Sequence, residues 1–350
     1  MLDSKSVVEL CTSKGFALAG VAAASHSSHG ATLRKWLEDE KHGEMEWLNR
    51  NVDVRLDPRN LVEGAASVIC VADRYGKLEE EPLCAGDGRI ARYARGRDYH
   101  KEMKKRLHSI CDALMEEFPG EQFRACVDTA PLLEREFAQR AGIGAVGKHT
   151  LLIEQGIGSW MLLGAIVTTA VIEQTDSSTI EQPDPCATCT RCIDACPTEA
   201  ITPWEVDARK CISYLTIEHR TDIAPELYPK IGRWIFGCDV CQEVCPHNQP
   251  SEVSSQAKIH SSYAPTRDSL DVLKVMQWNE EDRREYFRGS SMKRAKLGMI
   301  RRNAVIVAGN ILAESQDETL KEAITSIAQN PSEDVLVSEA ARIVLLQERD

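Results

Sequence analysis

The sequence predicts a mixed α+β or α/β chain built from three parts that follow one another. Residues 1–175 alternate helical and strand patterns, which predicts an α/β or α+β domain around a buried sheet. Residues 176–255 contain closely spaced cysteines, as a bacterial-ferredoxin-like domain does. Residues 256–350 have helical patterns only from about Ser269 onward, which predicts an all-α region. The length of 350 residues agrees with two or three domains.

The N-terminal part contains several well-defined helical and strand patterns. We predict a helix over Ser4–Lys14 and a buried strand over Phe16–Ala23. "ATLRKWLEDE" has the pattern of an amphipathic helix, and "DYHKEMKKRLHSICDALMEEF" that of a long helix. "ASVICVA", "FRACVD" and "SWMLLGAIVTT" are apolar and β-branched, as buried strands are. Two polar stretches, residues 173–185 and 251–265, are predicted to be a linker and a loop.

Composition restricts the class of protein. The 43% hydrophobic and 27% charged residues are typical of a globular chain with a core. No apolar run approaches the roughly 18 residues that span a bilayer. "GFALAGVAAAS" resembles the apolar part of a signal peptide, but Asp3 and Glu9 place acid where such a leader is basic. We therefore expect no membrane segment. We also expect a cytoplasmic protein, because cysteines in metal-ligand spacing require a reducing compartment.

The two cysteine runs carry the most specific signal. "CATCTRCIDACP" has the spacing C-x2-C-x2-C-x3-C-P of bacterial 4Fe–4S proteins. "GCDVCQEVCP" lacks one member of that pattern, and Cys211 in "ARKCISYLTIE" is the nearest residue that completes eight ligands. In two-cluster ferredoxins the fourth cysteine of each run binds the other cluster. The ligands predicted for the first cluster are Cys186, Cys189, Cys192 and Cys245, and those for the second are Cys196, Cys211, Cys238 and Cys241.

Zinc knots are the alternative to iron–sulfur clusters, because they also use CxxC pairs. The Cys-Pro endings and the eight-ligand count favour clusters. Two neighbouring clusters would relay single electrons, so an electron-transfer protein without chemistry of its own is one interpretation. The remaining cysteines lie among apolar residues and are predicted to be core thiols. They are Cys11, Cys70, Cys84, Cys111 and Cys126.

Two basic stretches stand out in a chain whose net charge is −12. Residues 89–106 carry eight Lys and Arg against two acids, and residues 283–302 carry eight against one. Such stretches predict a local site for a polyanion, although a solvated helix face would have the same composition. "MIRRNAVIVA" and "LVSEAARIVL" share an apolar pattern 37 residues apart, which suits a HEAT-like pair of helical repeats.

The N-terminal part contains no complete motif for a cofactor that would accept the electrons. No G-x-G-x-x-G follows a strand, and "GIGAVGKH" lacks the P-loop spacing. "DYHKEM" begins like the D-x-H-x-x-G cobalamin motif, but Met103 takes the place of the glycine. Asp128 ends a predicted strand, where a carboxylate can act as a general acid. A turn or helix cap is the simpler role, since Pro131 suits the first turn of a following helix.

The chain resembles the epoxyqueuosine reductase family over essentially its whole length. The matching segments include "HGEMEWL", "RYARGRDYHK", "VDTAPLLER", "GIGAVGKHTLLI", "CISYLTIEHR" and "RRNAVIVAGN". The resemblance implies one cobalamin in the N-terminal domain, a fold there related to reductive dehalogenases, and two 4Fe–4S clusters ligated as above. It also implies reduction of the epoxide of epoxyqueuosine in tRNA, the final step of queuosine biosynthesis, with the oxygen leaving as water.

The resemblance further implies roles for individual residues. Asp128 occupies the family's proton-donor position, and His100 is not expected to bind cobalt. The expected cobalamin contacts are Arg55, Asp128, Lys148, His149, Gly158, Ser159 and Ser213. The basic stretches would bind the anticodon stem-loop on a helical platform. The expected tRNA contacts are Arg97, Lys101, Arg220, Lys293, Arg294, Arg301 and Arg302.

The implied partners are tRNAs with a GUN anticodon and an external single-electron donor, a flavodoxin or a small ferredoxin. A monomer is expected. A reductive-dehalogenase-like reductase of small molecules would use both cofactors too, but it needs neither the basic stretches nor a helical platform.

Overall fold

A computed structural model describes residues 2–76, 82–175, 184–250 and 259–348. Most of the predicted linker and loop, residues 176–183 and 251–258, lies outside these ranges, as do the two predicted domain boundaries.

The N-terminal part is an antiparallel sheet covered on both faces. Its helices are α1 (Ser4–Ser13), α2 (Gly30–Glu38), α3 (Val52–Leu56), α4 (Tyr99–Glu117) and α5 (Glu134–Arg140). Its strands are β1 (Leu18–Ala23), β2 (Ser67–Arg74), β3 (Asp87–Ile90), β4 (Phe123–Cys126), β5 (Ala145–Val146), β6 (Leu152–Ile153) and β7 (Met161–Thr168). The order β1-β2-β7-β4 has antiparallel neighbours throughout, so this part is α+β.

Helices on either side of the sheet explain why the strand β2 is buried along its whole length. α1 and α4 pack on one face, where Val21, Ile69 and Ile166 point. α5 packs on the other face, against Val68 and Cys70. Every residue of β2 is therefore buried, and the sheet is a rigid base for the loops at its edge.

The cysteine-rich part contains short elements. They are α6 (Arg191–Asp194), α7 (Ile212–Ile217), α8 (Tyr228–Ile231), α9 (Val240–Glu243), β8 (Ile201–Thr202), β9 (Glu205–Val206) and β10 (Trp234–Phe236). α6 and α9 each lie inside a cysteine run and pack against each other. The two runs are therefore neighbours in space.

A second sheet joins segments from all three predicted parts. It has the order β10-β3-β11, where β11 is Ser269–Asp271. The prediction of helices alone from Ser269 was wrong at this strand, because Leu270 is buried where β11 pairs with β3. The division at 175/176 and 255/256 stays a prediction.

The C-terminal part is a helical stack. Its helices are α10 (Val272–Gln277), α11 (Glu280–Tyr286), α12 (Leu297–Glu314), α13 (Glu318–Gln329) and α14 (Val335–Gln347). α12 packs against α10, α13, α14 and β10, and is buried on several sides. The two segments with the shared apolar pattern lie in α12 and α14, which contact each other.

Two local predictions were wrong. Cys84 is exposed, whereas the other four predicted core thiols are buried. Pro131 does not lie in the first turn of a helix, since α5 begins only at Glu134. In the described ranges, no helix combines the length and apolarity that crossing a bilayer requires.

Candidate functional site

A cavity of about 570 Å³ lies between the N-terminal sheet and the cysteine-rich part. Tyr75, Asp128 and Glu134 line it from the N-terminal side, together with His149 and Ser159. Four thiols line it from the other side. They are Cys196, Cys211, Cys238 and Cys241. A space of this size suits a large organic ligand.

The other four predicted cluster ligands line a second cavity, of about 230 Å³. These are Cys186, Cys189, Cys192 and Cys245. The structure thus places the eight cysteines in the two groups that the ferredoxin crossing rule predicts, with Cys196 and Cys245 each away from the rest of its own run. Among the described residues, no three His, Cys, Asp or Glu side chains have the arrangement of a single-ion site.

Backbone amides point at two of these sulfurs. Lys148 N–H donates to Cys186 Sγ at 3.3 Å, and Ala200 N–H donates to Cys196 Sγ at 3.3 Å. The Lys148 ammonium donates to the carbonyls of Ala187 and Cys189, at 2.6 and 3.0 Å. Hydrogen bonds to sulfur stabilise the anionic thiolate form and raise the potential of a bound cluster.

Asp128 is held at the rim of the large cavity by two contacts. Its backbone has a positive φ of 51°, uncommon outside glycine. Glu134, in the first turn of α5, accepts the Asp128 N–H at 2.8 Å, which fixes this turn. The Asp128 carboxylate faces the Nε2 atom of His100 at 3.0 Å, with 59% of its side chain exposed to the open cavity.

His100 contacts a second carboxylate through its other ring nitrogen. Its Nδ1 atom lies 2.8 Å from Asp98 Oδ1, and the other oxygen of Asp98 accepts from Lys293 Nζ. Asp98 also caps α4, because it accepts the backbone N–H of His100. Both ring nitrogens are therefore engaged by carboxylates.

These contacts shift the acidities of the group. Burial would lower the pKa of His100, but its hydrogen bonds to Asp128 and Asp98 raise it to about 9. Partial removal from bulk water would raise the pKa values of both aspartates. The bonds from His100 and Lys293 nevertheless lower the pKa of Asp98 to about 2, and His100 holds that of Asp128 below its usual range. Burial and the charge of Asp128 raise the pKa of Glu134 to about 8.

Four of the expected cobalamin contacts line the large cavity, and three do not. The four are Asp128, His149, Ser159 and Ser213. The three that are absent from its wall are Arg55, Lys148 and Gly158. Lys148 instead holds the first cysteine loop, and Gly158 lies against Asn248. The Arg55 guanidinium lies 5.7 Å from the ring centre of Trp47.

His149 provides a test of whether the cavity suits a polar ligand. Its Nδ1 accepts the backbone N–H of Leu151 at 3.2 Å, which places the proton on Nε2. Burial lowers the pKa of this imidazole to about 4, so the ring is neutral. The Nε2 atom is buried without a partner in the protein. A ligand with amide carbonyls, as cobalamin has, would satisfy it.

Five of the predicted tRNA contacts are exposed. They are Arg97, Lys101, Arg220, Lys293 and Arg294. Arg294 forms two bonds to the carboxylate of Glu218, at 2.7 and 2.8 Å, and Glu218 lines the large cavity. Lys293 contacts Asp98. These two cations therefore lie close to the cavity rim.

Arg302 was predicted wrongly as a surface contact. It is fully buried, and it donates to the carbonyls of Leu215, His219 and Thr221 at 2.6–3.0 Å. It joins α12 to the segment that follows Cys211. Arg301 is mostly buried as well and forms two bonds to the carboxylate of Glu333, at 2.6 and 2.8 Å.

Sequence reasoning missed His100 and Glu134 as members of the site. His100 was considered only as a metal ligand. The sequence signal was the spacing of Asp98 and His100 across a helix start, which lets a capping carboxylate reach the ring. Glu134 carried no signal beyond its closeness to Asp128 in the chain.

Two family models match the chain in its N-terminal and central parts. Residues 55–129 match the model described as epoxyqueuosine reductase QueG, DUF1730. Residues 185–248 match the 4Fe–4S double cluster binding domain. The first match contains Asp98, His100 and Asp128, and the second contains all eight predicted cluster ligands.

Curated relatives and solved structures resemble the chain over most of its length. The epoxyqueuosine reductase of Leadbetterella byssophila is 39% identical over 87% of this chain and 98% of its own. The epoxyqueuosine reductase of Xanthomonas campestris pv. campestris is 38% identical over 86% of this chain and 85% of its own. A crystal structure of epoxyqueuosine reductase with an epoxyqueuosine-modified tRNA-Tyr stem loop has a TM-score of 0.84 and 23% identity, and covers 99% of this chain and 90% of that one. The structure of epoxyqueuosine reductase from Streptococcus thermophilus has a TM-score of 0.78 and 23% sequence identity, and the match covers 99% of each chain. These structures share the fold.

Proposed function

This chain belongs to the epoxyqueuosine reductase family, and we propose that it reduces the epoxide of epoxyqueuosine in tRNA to the alkene of queuosine, with Asp128 as proton donor. One observation carries the proposal. Asp128 and four cysteines in cluster-ligand spacing line the same cavity, so a proton donor faces an electron source across a space large enough for a cofactor and a nucleoside.

The cysteines provide for two 4Fe–4S clusters with crossed ligation. The cluster on Cys196, Cys211, Cys238 and Cys241 would face the large cavity, and the cluster on Cys186, Cys189, Cys192 and Cys245 would lie behind it. Electrons would then enter at the cluster behind the large cavity and pass to the cluster that faces it. An external single-electron donor, a flavodoxin or a small ferredoxin, would supply them.

The large cavity would hold one cobalamin. His149, which lines this cavity and the second one, has an N–H donor without a partner in the protein, and Ser159 and Ser213 would offer short polar contacts. When bound, cobalamin supplies a strongly reducing cobalt centre for the cleavage of C–O bonds. The remaining chemistry belongs to the chain's own side chains.

Asp128 would protonate the oxygen of the epoxide. Removal of that oxygen needs two electrons and two protons, and yields an alkene and water. Negative charge builds on the oxygen as its C–O bonds break, and a nearby acid neutralises it. Glu134 keeps Asp128 in its strained turn, since it binds the Asp128 N–H at 2.8 Å. Tyr75, Tyr93 and Tyr99 would limit the access of water, since they line the same cavity.

The basic residues near the cavity rim would bind the anticodon stem-loop. Lys293 and Arg294 lie beside it, and Arg97, Lys101 and Arg220 extend the positive surface. Phosphate contacts would fix the position of the loop, and the modified nucleoside would turn into the cavity. The C-terminal helices would form the HEAT-like platform, and tRNAs with a GUN anticodon would be the substrates. The protein would act as a monomer in the cytoplasm.

Nucleoside mass spectrometry tests this function. Epoxyqueuosine-containing tRNA is incubated anaerobically with the cluster-loaded protein, cobalamin and a chemical reductant. The proposal predicts loss of one oxygen from the nucleoside, dependent on cobalamin. An unchanged nucleoside, with clusters intact and cobalamin bound, would contradict it and favour a reductase of small molecules. Failure to bind cobalamin as well would favour an electron carrier.

A further inference from the structure

Four side chains form a continuous chain from the protein surface to the cavity. Lys293 contacts Asp98, Asp98 contacts His100, and His100 contacts Asp128. The two contacts of the imidazole are 2.8 and 3.0 Å long. We propose that His100 stores the proton that Asp128 delivers, with Asp98 and Lys293 holding the ring in place. This inference rests on the proposed role of Asp128 as donor.

The geometry suits a stored proton. An imidazolium has two N–H donors, and here a carboxylate faces each of them. A neutral imidazole has one donor and one acceptor, so one of the two carboxylates would face a lone pair. The ring of Tyr99 stacks on the imidazole with 3.9 Å between ring centres, which fixes its plane. Because both nitrogens are occupied, the ring lies in one orientation toward Asp128.

Acidity explains why Asp128 needs a partner. A carboxylate whose pKa lies below its usual range is ionised near pH 7 and has no proton to donate. His100, with a pKa of about 9, is protonated at that pH. Glu134 and Arg135 act on Asp128 from α5, and Tyr99 acts on it from α4. The charges of Arg55 and Arg294 also act on Asp128, and Lys293 acts on Asp98. The adjoining pair of His100 and Asp128 therefore holds one proton, and that proton resides on the imidazole.

The proposed steps balance in protons. The proton moves from His100 Nε2 to Asp128 Oδ2, and from Asp128 to the oxygen of the substrate. His100 is then neutral, and takes up a proton from water through the 30% of its side chain that is exposed. Each reduction consumes two protons, so the pair delivers a proton and is reloaded twice in one turnover. The clusters and the cofactor, when bound, would supply the two electrons.

The pH dependence of the reaction rate distinguishes a proton-storing His100 from one that only positions Asp128. Single-turnover rates are measured from pH 6 to 10 on pre-reduced enzyme with epoxyqueuosine-containing tRNA. The proposal predicts a wild-type rate that is level near neutral pH and falls with a midpoint near 9, as the pair loses its proton. The same profile in Glu134→Gln shows whether the titration of Glu134 contributes to this fall.

His100→Gln is the decisive variant. It leaves Asp128 as the only holder of the proton, so its rate should be at least about 100-fold lower at pH 7 and should rise about tenfold for each pH unit of acidification. Added imidazole should restore part of the rate. His108→Gln, on an exposed position of the same helix, is the matched control and should behave like wild type. Retained cobalamin absorption and tRNA affinity would show that the variant is folded.

A lower rate in His100→Gln with the wild-type pH profile would overturn the proposal, because His100 would then only position Asp128. If His100→Gln fails to fold, Asp98→Asn serves instead. The amide can still cap α4 but no longer supports the imidazolium, so the high-pH midpoint should move downward, and an unmoved midpoint would overturn the proposal. Full activity of Asp128→Asn would instead exclude Asp128 as the proton donor. That result would contradict the proposed function and can be distinguished from a failure of the His100 proposal alone.

Discussion

Asn248 and Ser159 are joined by two hydrogen bonds. The Ser159 N–H donates to Asn248 Oδ1 at 2.6 Å, and Asn248 Nδ2 donates to Ser159 Oγ at 2.9 Å. Ser159 lies two residues before the start of β7 and lines the large cavity, whereas Asn248 follows the second cysteine run. This contact therefore fixes the second cysteine run against the wall of the proposed cobalamin site.

Gly158→Ala should disturb this junction. Gly158 has a φ of +85°, and an added Cβ would overlap Asn248 Oδ1 and lie 2.6 Å from the carbonyl oxygen of His247. We expect a loss of about 1–3 kcal/mol in the free energy of unfolding and weaker cobalamin retention. Gly120→Ala, where a Cβ meets nothing within 4 Å, is the control. The free energy of unfolding of both variants is measured by denaturation. Equal values would contradict a stabilising role of the contact between Ser159 and Asn248.

Crossed ligation predicts different results for two double variants. Cys192→Ala with Cys245→Ala removes two ligands of one cluster, so about four of the eight irons should remain. Cys192→Ala with Cys196→Ala removes one ligand from each cluster, so both should be damaged. Iron analysis and electron paramagnetic resonance of the reduced proteins measure the outcome. The reverse pattern would mean that each run binds its own cluster.

Arg302 and Arg294 should differ in what they support. Arg302→Met leaves buried carbonyls of the segment after Cys211 without donors, so we expect a loss of about 2–5 kcal/mol in stability. Arg294→Gln breaks an exposed ion pair, so its stability should change by less than about 1 kcal/mol. Its tRNA affinity should fall, and the salt dependence of binding should flatten. Unchanged tRNA affinity in Arg294→Gln would move the RNA site away from this rim.

Glu134 should make stability depend on pH. Its pKa is raised to about 8 in the folded protein, from an ordinary value near 4.5. Between these two values the folded state binds more protons than the unfolded state, so stability falls as pH rises through this window. Glu134→Gln keeps an acceptor for the Asp128 N–H and removes this titration. Between pH 6 and 8.5 the melting temperature of the variant should fall by less than that of wild type. An equal fall in the two proteins would contradict the raised pKa of Glu134.

The cysteine spacing predicted the site most completely, because closely spaced cysteines can bind one cluster together and the crossing rule of two-cluster ferredoxins supplies the distant ligand. It indicated both ligand groups, which the structure places at two cavities. Asp128 could be assigned only through the family resemblance, since its φ and its contact with Glu134 depend on the fold. The contact of His100 with Asp128 joins the start of α4 to the end of β4, a distance along the chain that no local pattern spans.

Burial explains the main errors. The run around Arg302 was interpreted by its charge, yet its neighbours "AVIVA" form a helix that is apolar on nearly every side, and an arginine in such a helix is buried and bound to carbonyls. The strand β11 is only three residues long and pairs with β3, far away in sequence, so it had no alternating pattern to detect.

Single turnover of Asp128→Asn tests the central claim most directly. Wild type, Asp128→Asn and the exposed control Asp112→Asn are loaded with clusters and cobalamin, reduced, and mixed with epoxyqueuosine-containing tRNA. Queuosine formation and tRNA affinity are measured in the same samples. We predict that Asp128→Asn binds tRNA as wild type does but forms queuosine at least about 100-fold more slowly, in line with the loss of a general acid. Formation of queuosine at the wild-type rate would contradict the account.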